Sequence, residues 1–322
     1  MQISCGFPPG RQVVAHARIA EQLGYERVWL YDSPALYGDV WMYLALIAEA
    51  TDRVEIGTAV LVPSLRHPLV QASAIATLES LAPGRVVVAI GTGFTARMAL
   101  GQRPMRWADV RTYIAQVKAL LDGESVVVDG AVVKMIPSRG MLPDRPIRVP
   151  IIVAANGPVG LEVAREFGDG VMTIFGGVPE FDWCSLLAYG TVLDPGESPD
   201  SERVYAAAGP GLAVLYHGSY EADPAAVDGL DGGPEWRAEI ELVPEHSRHL
   251  AIHEDHFVGV SERDRPLLSG EGIKTFTWTG EAAEVRARLD GAAASGVTEV
   301  LYAPMGPDIE RELRTFMEMA KA

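Results

Sequence analysis

VEIGTAVLVPSLRHP, residues 54–68, begins as a buried strand and then changes character. Val54 and Ile56 suit a strand, but Gly57, Thr58 and Ala59 are small where a strand buried on both faces normally carries bulk. Pro63 has no N–H to extend a ladder. His67-Pro68 opens an apolar-periodic run that reads as a helix, with His67 placed to fix its loop through a backbone hydrogen bond. The stretch is therefore a β/α unit whose strand turns small at its C-terminal end. Backbone can approach a flat ligand closely at such a place.

The same alternation extends in both directions. Strand patterns are expected at residues 2–7, 27–31, 54–60, 85–90, 150–155, 170–175, 212–216 and 298–303. Helical spacing is expected at residues 11–23, 39–50, 69–81, 107–121, 159–167, 179–192, 281–294 and 308–319. The rhythm breaks where Asp129-Gly130 sits between two Val-rich runs, a hairpin signal that predicts an inserted ribbon near 126–136. Residues 222–272, rich in Asp, Gly, Pro and His, read as a second, helical or irregular excursion. Near-continuous apolar strands fit a single α/β domain over residues 1–322, a (β/α)8 barrel with insertions. An open doubly wound sheet is the competing arrangement, since periodicity alone does not show closure.

Composition narrows the function classes. The 27 Lys+Arg against 43 Asp+Glu give a net charge of −16, which disfavours nucleic acid and anionic membrane as partners. Two cysteines, Cys5 and Cys184, cannot form a disulfide framework or a four-thiolate zinc site. MQISCGFPPG at residues 1–10 has no signal-peptide pattern, and no apolar run approaches a membrane span. A cytoplasmic protein acting on a small-molecule substrate is expected, with a homodimer as a candidate assembly.

The expected strand ends carry the candidate site. They are Asp32-Ser33, Thr58 to Val60, Gly91-Thr92-Gly93, Ala155-Asn156-Gly157-Pro158 and Phe175-Gly176-Gly177. The set holds one carboxylate, no histidine pair and no nucleophilic triad. A mouth of small residues suits a large planar cofactor held by backbone groups, which brings the chemistry with it. Glycines at these positions serve equally as turn residues. Asn156-Gly157-Pro158 stands between a strand and a helix, where N–H groups can meet a phosphate. Asp32 is placed to bond a cofactor ring or to move a proton; an Asx turn is its plainer reading.

His246, His249, His253 and His256 are spaced 3, 4 and 3 apart, which would place them on one face of a helix. A lid over a substrate pocket, a metal set, and a solvated or hydrogen-bonded face are the three readings; no metal is expected.

Several segments together resemble the bacterial luciferase-like superfamily of flavin- and deazaflavin-dependent oxidoreductases. They are AEQLGYERVWLYDS (20–33), VEIGTAVLVPSLRHP (54–68), GRVVVAIGTG (84–93), WADVRTYIAQVKALLDGE (107–124), VPIIVAANGPVGLEVAREFGDGV (149–171) and GEAAEVRARLDGAAASGVTEVLYAPMGPD (280–308). The pattern is most similar to members like methylenetetrahydromethanopterin reductase. The resemblance implies a TIM barrel with 8-hydroxy-5-deazaflavin, coenzyme F-420, lying across the strand ends. It implies hydride transfer at ring carbon 5 and a cis peptide at Ala59–Val60 behind the ring. Cofactor contacts are then expected from Asp32, Ala59, Val60, Gly91, Thr92, Gly93, Ala155, Asn156, Gly157, Pro158, Phe175, Gly176 and Gly177. The negative cofactor tail is expected at Asn156-Gly157 and Gly176-Gly177.

Two departures bear on the chemistry. Flavin-dependent luciferases place an arginine just after the fourth strand for the FMN phosphate; here Thr92-Gly93 stand there, with Arg97 nearby. Several deazaflavin members have Asp-His at the end of strand two; here it is Asp32-Ser33. The proton donor is then expected from His253 or His256, with Asp32 as the third candidate catalytic residue. An FMN-dependent monooxygenase is the alternative enzyme, and a non-catalytic cofactor-binding protein the alternative outside catalysis.

Overall fold

A computed structural model describes residues 1–322. Strand β1 (Gln2–Phe7) leads to helix α1 (Val13–Leu23), β2 (Arg27–Leu30) to α2 (Val40–Ala50), and β3 (Glu55–Leu61) to α3 (Pro68–Leu81). Strand β4 (Val86–Ile90) continues through the short α4 (Phe94–Met98) to α5 (Trp107–Asp122). The ribbon β5 (Val126–Val128) and β6 (Ala131–Val133) follows, then β7 (Ile151–Ala154), α6 (Pro158–Phe167), β8 (Gly170–Thr173) and β9 (Cys184–Tyr189). Four helices come next: α7 (Glu202–Ala222), α8 (Gly233–Glu241), α9 (Arg248–Ile252) and α10 (Gly270–Phe276). Helix α11 (Ala282–Ala294), β10 (Glu299–Ala303) and α12 (Ile309–Lys321) close the chain. Eight parallel strands form a closed barrel in the order β1-β2-β3-β4-β7-β8-β9-β10, so the competing open sheet is excluded. No helix is long and apolar enough to cross a membrane.

The ribbon turns as its sequence requires. Asp129 and Gly130 both adopt positive φ, 50° and 81°, the backbone of a type I′ hairpin turn.

Two expectations exchange places. Residues 179–192, expected to be helical, contain β9, while residues 212–216, expected to be a strand, lie inside α7. CSLLAY is a short apolar run that periodicity cannot assign; pairing decides it, with Val171, Met172 and Thr173 opposite Cys184, Ser185 and Leu186. Gly-Pro-Gly at 209–211 reads as a breaker, yet α7 passes through Pro210. The glycines let the helix come close: a Cβ on Gly211 would collide with the Tyr189 ring, and one on Gly209 would stand 3.0 Å from Leu268. Tertiary burial of Val204, Leu212, Tyr216 and Tyr220 outweighs the hydrogen bond lost at the proline. The second insertion therefore starts with α7, before residue 222, and is helical with its own apolar cluster around Trp236, Ile240 and Ile252.

Inside the barrel the side chains stack in layers. Trp29, Val87, Ala89, Ile152, Met172 and Leu301 fill the middle. Below them, at the strand starts, Glu299 is fully buried and accepts hydrogen bonds from Arg27 Nη1 (2.7 Å), Trp29 Nε1 (3.0 Å) and Trp183 Nε1 (2.6 Å). Arg27 also pairs with Glu55. This polar plug closes the end opposite the mouth.

Candidate active site at the barrel mouth

The mouth has two unlike halves. On the β3, β4 and β7 side the walls are small: Ala59, Val60 and Ala154 pack onto the top of the interior cluster. The Ala59–Val60 peptide is cis, and the pairing of β3 with β4 shifts register between Thr58 and Leu61. A Cβ on Gly91 would lie 2.9 Å from Val60 Cγ2 and 3.3 Å from the Ala154 Cβ, so only glycine leaves this wall smooth. Gly93 takes φ +77° and starts α4, while the Thr92 carbonyl accepts from Met105 N–H at 2.9 Å. Ala155 is buried, and the exposed Asn156 accepts from Ile174 N–H through Oδ1 at 2.9 Å, which ties the β7 and β8 ends together. Gly157 caps α6, with Pro158 in its first turn.

Ile174 and Phe175 stand exposed at the end of β8, and Gly176 follows with φ +143°. Gly177 departs from the expected set. With no helix between β8 and β9, the chain descends at once outside the barrel. Gly177 N–H donates to Ser295 Oγ at 3.2 Å, beside the turn that precedes β10. It is at the level of the strand starts, and its N–H is not offered to the mouth.

The other half of the mouth is aromatic and roofed. Tyr31 and Tyr189 follow the inward alternation of β2 and β9. Phe257 meets both edge-to-face, with ring centroids 5.8 and 5.4 Å away. Asp255 and Phe257 carry positive φ, 55° and 62°, on either side of His256. Such backbone is unfavourable for non-glycine residues and persists only where contacts hold it. Here the aromatic contacts and the Tyr37 hydroxyl, donating to the His256 carbonyl at 2.6 Å, supply them. This loop of the insertion reaches across the strand ends.

Asp32 is buried, with Oδ2 accepting from Arg66 Nη1 at 2.6 Å. Arg66 also donates to Asp39, which caps α2. Burial pushes the Asp32 carboxyl up; the Arg66 guanidinium pulls it down without cancelling the shift. Its Oδ1 is buried without a hydrogen-bond partner, so it retains acceptor capacity. An Asx turn does not describe it. His67 fixes its loop through a backbone hydrogen bond as expected: Nδ1 accepts from Leu69 N–H at 3.1 Å and caps α3.

The four spaced histidines do not share a helical face. Helix α9 covers only Arg248–Ile252, and His246 belongs to a separate 3-10 turn. His246 and His249 line an outer groove with Leu100, Gly101 and Glu245. His253 and His256 turn inward and meet His217 of α7, which their spacing gave no reason to group with them. Burial, then the two neighbouring imidazoles, hold His256 well below its ordinary pKa, so it is neutral near pH 7. Arg66, His217, Tyr31, Tyr189 and Phe257 were absent from the expected site; Arg66 lies inside the 54–68 stretch, but nothing local pointed its side chain at Asp32.

The chain is similar to several known proteins. A 5,10-methylenetetrahydromethanopterin reductase of Methanolobus tindarius is 26% identical, over 95% of this chain and 94% of its own. An F420-dependent glucose-6-phosphate dehydrogenase of Beutenbergia cavernae is 37% identical, over 53% of this chain and 54% of its own, so that match spans about half of each protein. Among solved structures, the coenzyme F420 dependent tetrahydromethanopterin reductase from Methanopyrus kandleri superposes with a TM-score of 0.69 at 20% identity, covering 100% of this chain and 99% of that one. That likeness concerns the fold. The family described as luciferase-like monooxygenase matches residues 3–299, and the chain belongs to that family.

Proposed function

We propose that the protein is an oxidoreductase that uses coenzyme F-420, the 8-hydroxy-5-deazaflavin, on a small organic substrate, working as one domain over residues 1–322. The observation that carries this reading is the divided mouth: a smooth half of Ala59, Val60, Gly91 and Ala154 faces an aromatic half under Phe257. The smooth half fits a flat ring, and the roofed half fits a compact substrate beside it. The names of the curated relatives support the choice of cofactor. When bound, the deazaflavin supplies a ring carbon that gives or takes a hydride. The protein holds ring and substrate together and keeps water out. The unpartnered Asp32 Oδ1 would accept from a ring or ribityl donor. Asn156, Gly157 and Pro158 at the start of α6 would receive the anionic tail, with Thr92, Gly93, Ala155, Phe175 and Gly176 around the ring.

FMN is the second reading. Arg97, the cation nearest the fourth strand end, donates from Nη1 to Ser64 Oγ and from Nε to the Arg103 carbonyl, both at 2.6 Å, and its Nη2 donors remain for a phosphate, so the choice of deazaflavin rests on the relatives and on the titration. Titration with coenzyme F-420 and with FMN, side by side, is expected to give quenching with the deazaflavin alone. Tighter binding of FMN would overturn the reading, and tight deazaflavin binding without turnover across a broad substrate panel would favour a non-catalytic carrier.

Cytoplasmic placement agrees with both cysteines being buried and unpaired. A homodimer would cover Met42 and Leu46 of α2 and Val70 of α3, which are exposed by 72%, 54% and 56%. Light scattering is expected to give twice 34.6 kDa; a single-chain mass would remove the dimer.

A further inference from the structure

The histidine cluster is a hydrogen-bond puzzle with one economical solution. Asp264 accepts from Trp236 Nε1 (2.8 Å) on Oδ1 and from Ser261 Oγ (2.8 Å) and His217 Nε2 (3.2 Å) on Oδ2. Burial alone would push its carboxyl up, but His217, Trp236 and Ser261 hold it below the ordinary range, so it is an anion. An anion only accepts, so His217 carries its proton on Nε2. His253 Nε2 likewise faces Glu221 Oε1 at 2.8 Å. Both imidazoles therefore turn a bare Nδ1 inward. His256 Nδ1 lies 3.1 Å from the first and 3.3 Å from the second. Two lone pairs around one nitrogen require that nitrogen to carry the hydrogen. His256 is then fixed as the Nδ1–H tautomer, and its Nε2 is left bare. That atom faces Thr95 Oγ1 at 3.5 Å, on α4 just beyond the end of β4, beside the Phe257 roof.

We propose that His256 Nε2 is the base that accepts a proton from a substrate hydroxyl at the mouth, and that His217–Asp264 and His253–Glu221 are two arms that take the charge onward. This rests on the hydride-transfer reading above. In the oxidative direction the C–H bond breaks with its electron pair going to the oxidised deazaflavin. The O–H bond breaks with its proton going to His256 Nε2, and the carbonyl forms. The Nδ1 hydrogen of His256 can then pass to the Nδ1 of either neighbour, whose imidazolium is matched by its carboxylate. The substrate class is an alcohol. Asp264 and Glu221 are positioning residues. The remaining groups about the cluster do not replace them: the Tyr37 hydroxyl is bonded to the His256 carbonyl, and Glu254 and Asp255 are exposed.

The tautomers can be read without cofactor or substrate. Long-range 15N–1H spectra of histidine-labelled protein are expected to show Nε2–H for His217 and His253 and Nδ1–H for His256. An Nε2–H His256, or a stoichiometric divalent metal in protein purified without chelator, would overturn the assignment. In turnover, His256→Gln is expected to keep deazaflavin affinity and lose roughly 100-fold or more in kcat. Asp264→Asn removes an anion that favours the protonated cluster, so the acidic limb of the pH–rate profile is expected to move down by about one unit. A slower Asp264→Asn enzyme with the limb unmoved would show a merely structural role and sink the relay. Failure of the hydride-transfer reading would appear separately, as wild-type protein that binds no deazaflavin or turns over no alcohol while the tautomers stand.

Discussion

Ala59→Leu is expected to weaken deazaflavin binding by roughly 100-fold while the barrel still folds. Ala59 is half-buried at the top of the interior, next to Val60 and in line with the wall that Gly91 and Ala154 complete. A leucine there adds three carbons above the packed layer, not within it. The fold therefore loses little, because the added atoms extend into the open half of the mouth. On the proposed placement the ring would lose the surface beneath it, and a displacement of about 1 Å would also take it out of reach of substrate. Fluorescence titration reads the affinity, and circular dichroism with thermal melting reads the fold. Wild-type affinity in a folded Ala59→Leu protein would place the cofactor elsewhere.

Glu299→Ala has the largest expected effect on stability, about 3–5 kcal/mol. The carboxylate is fully buried and accepts from Arg27, Trp29 and Trp183. Removing it strands the buried Arg27 guanidinium with Glu55 alone, leaves the Trp183 indole N–H without its acceptor and leaves that of Trp29 with Ser4 Oγ at 3.2 Å. Arg27 also lies over both indoles, 5.3 and 4.4 Å from their centroids, so the plug acts as a unit. Denaturant unfolding should show the loss as a lower midpoint, with the melting temperature lowered by roughly 10 °C. Glu299→Gln keeps two acceptor lone pairs and should recover part of it. A loss under about 1 kcal/mol would mean that water or Glu55 compensates the plug. Deazaflavin affinity is expected to change little in the folded fraction, since Glu299 lies at the opposite end from the mouth.

The eight-strand rhythm was legible because strands buried on both faces must be apolar along their length, and turns must carry residues such as Asp129-Gly130. The small residues at the strand ends were legible for the same local reason. The exchange of strand and helix between residues 179–192 and 212–216 was not, because short apolar runs and a Gly-Pro-Gly sequence have no decisive local preference. There, pairing with β8 and close contact with Tyr189 and Leu268 decided. The Glu299 plug was invisible for a different reason: an isolated Glu in TEVLYA carries no sign that Arg27 waits 272 positions away.

The amino-acid order by itself determined the β/α alternation, the ribbon and the small residues at the strand ends Ala59, Gly91 and Asn156-Gly157, since each follows from periodicity and backbone freedom within a few residues; closure of the eight strands into a barrel came from their pairing. Only the tertiary structure decided which charged and aromatic groups meet there. Arg66 reaches Asp32, Phe257 closes over Tyr31 and Tyr189, and His217 replaces His246 and His249 beside His253 and His256. Those partners come from different loops and helices. Their meeting depends on how the insertion packs over the mouth, which no local spacing records.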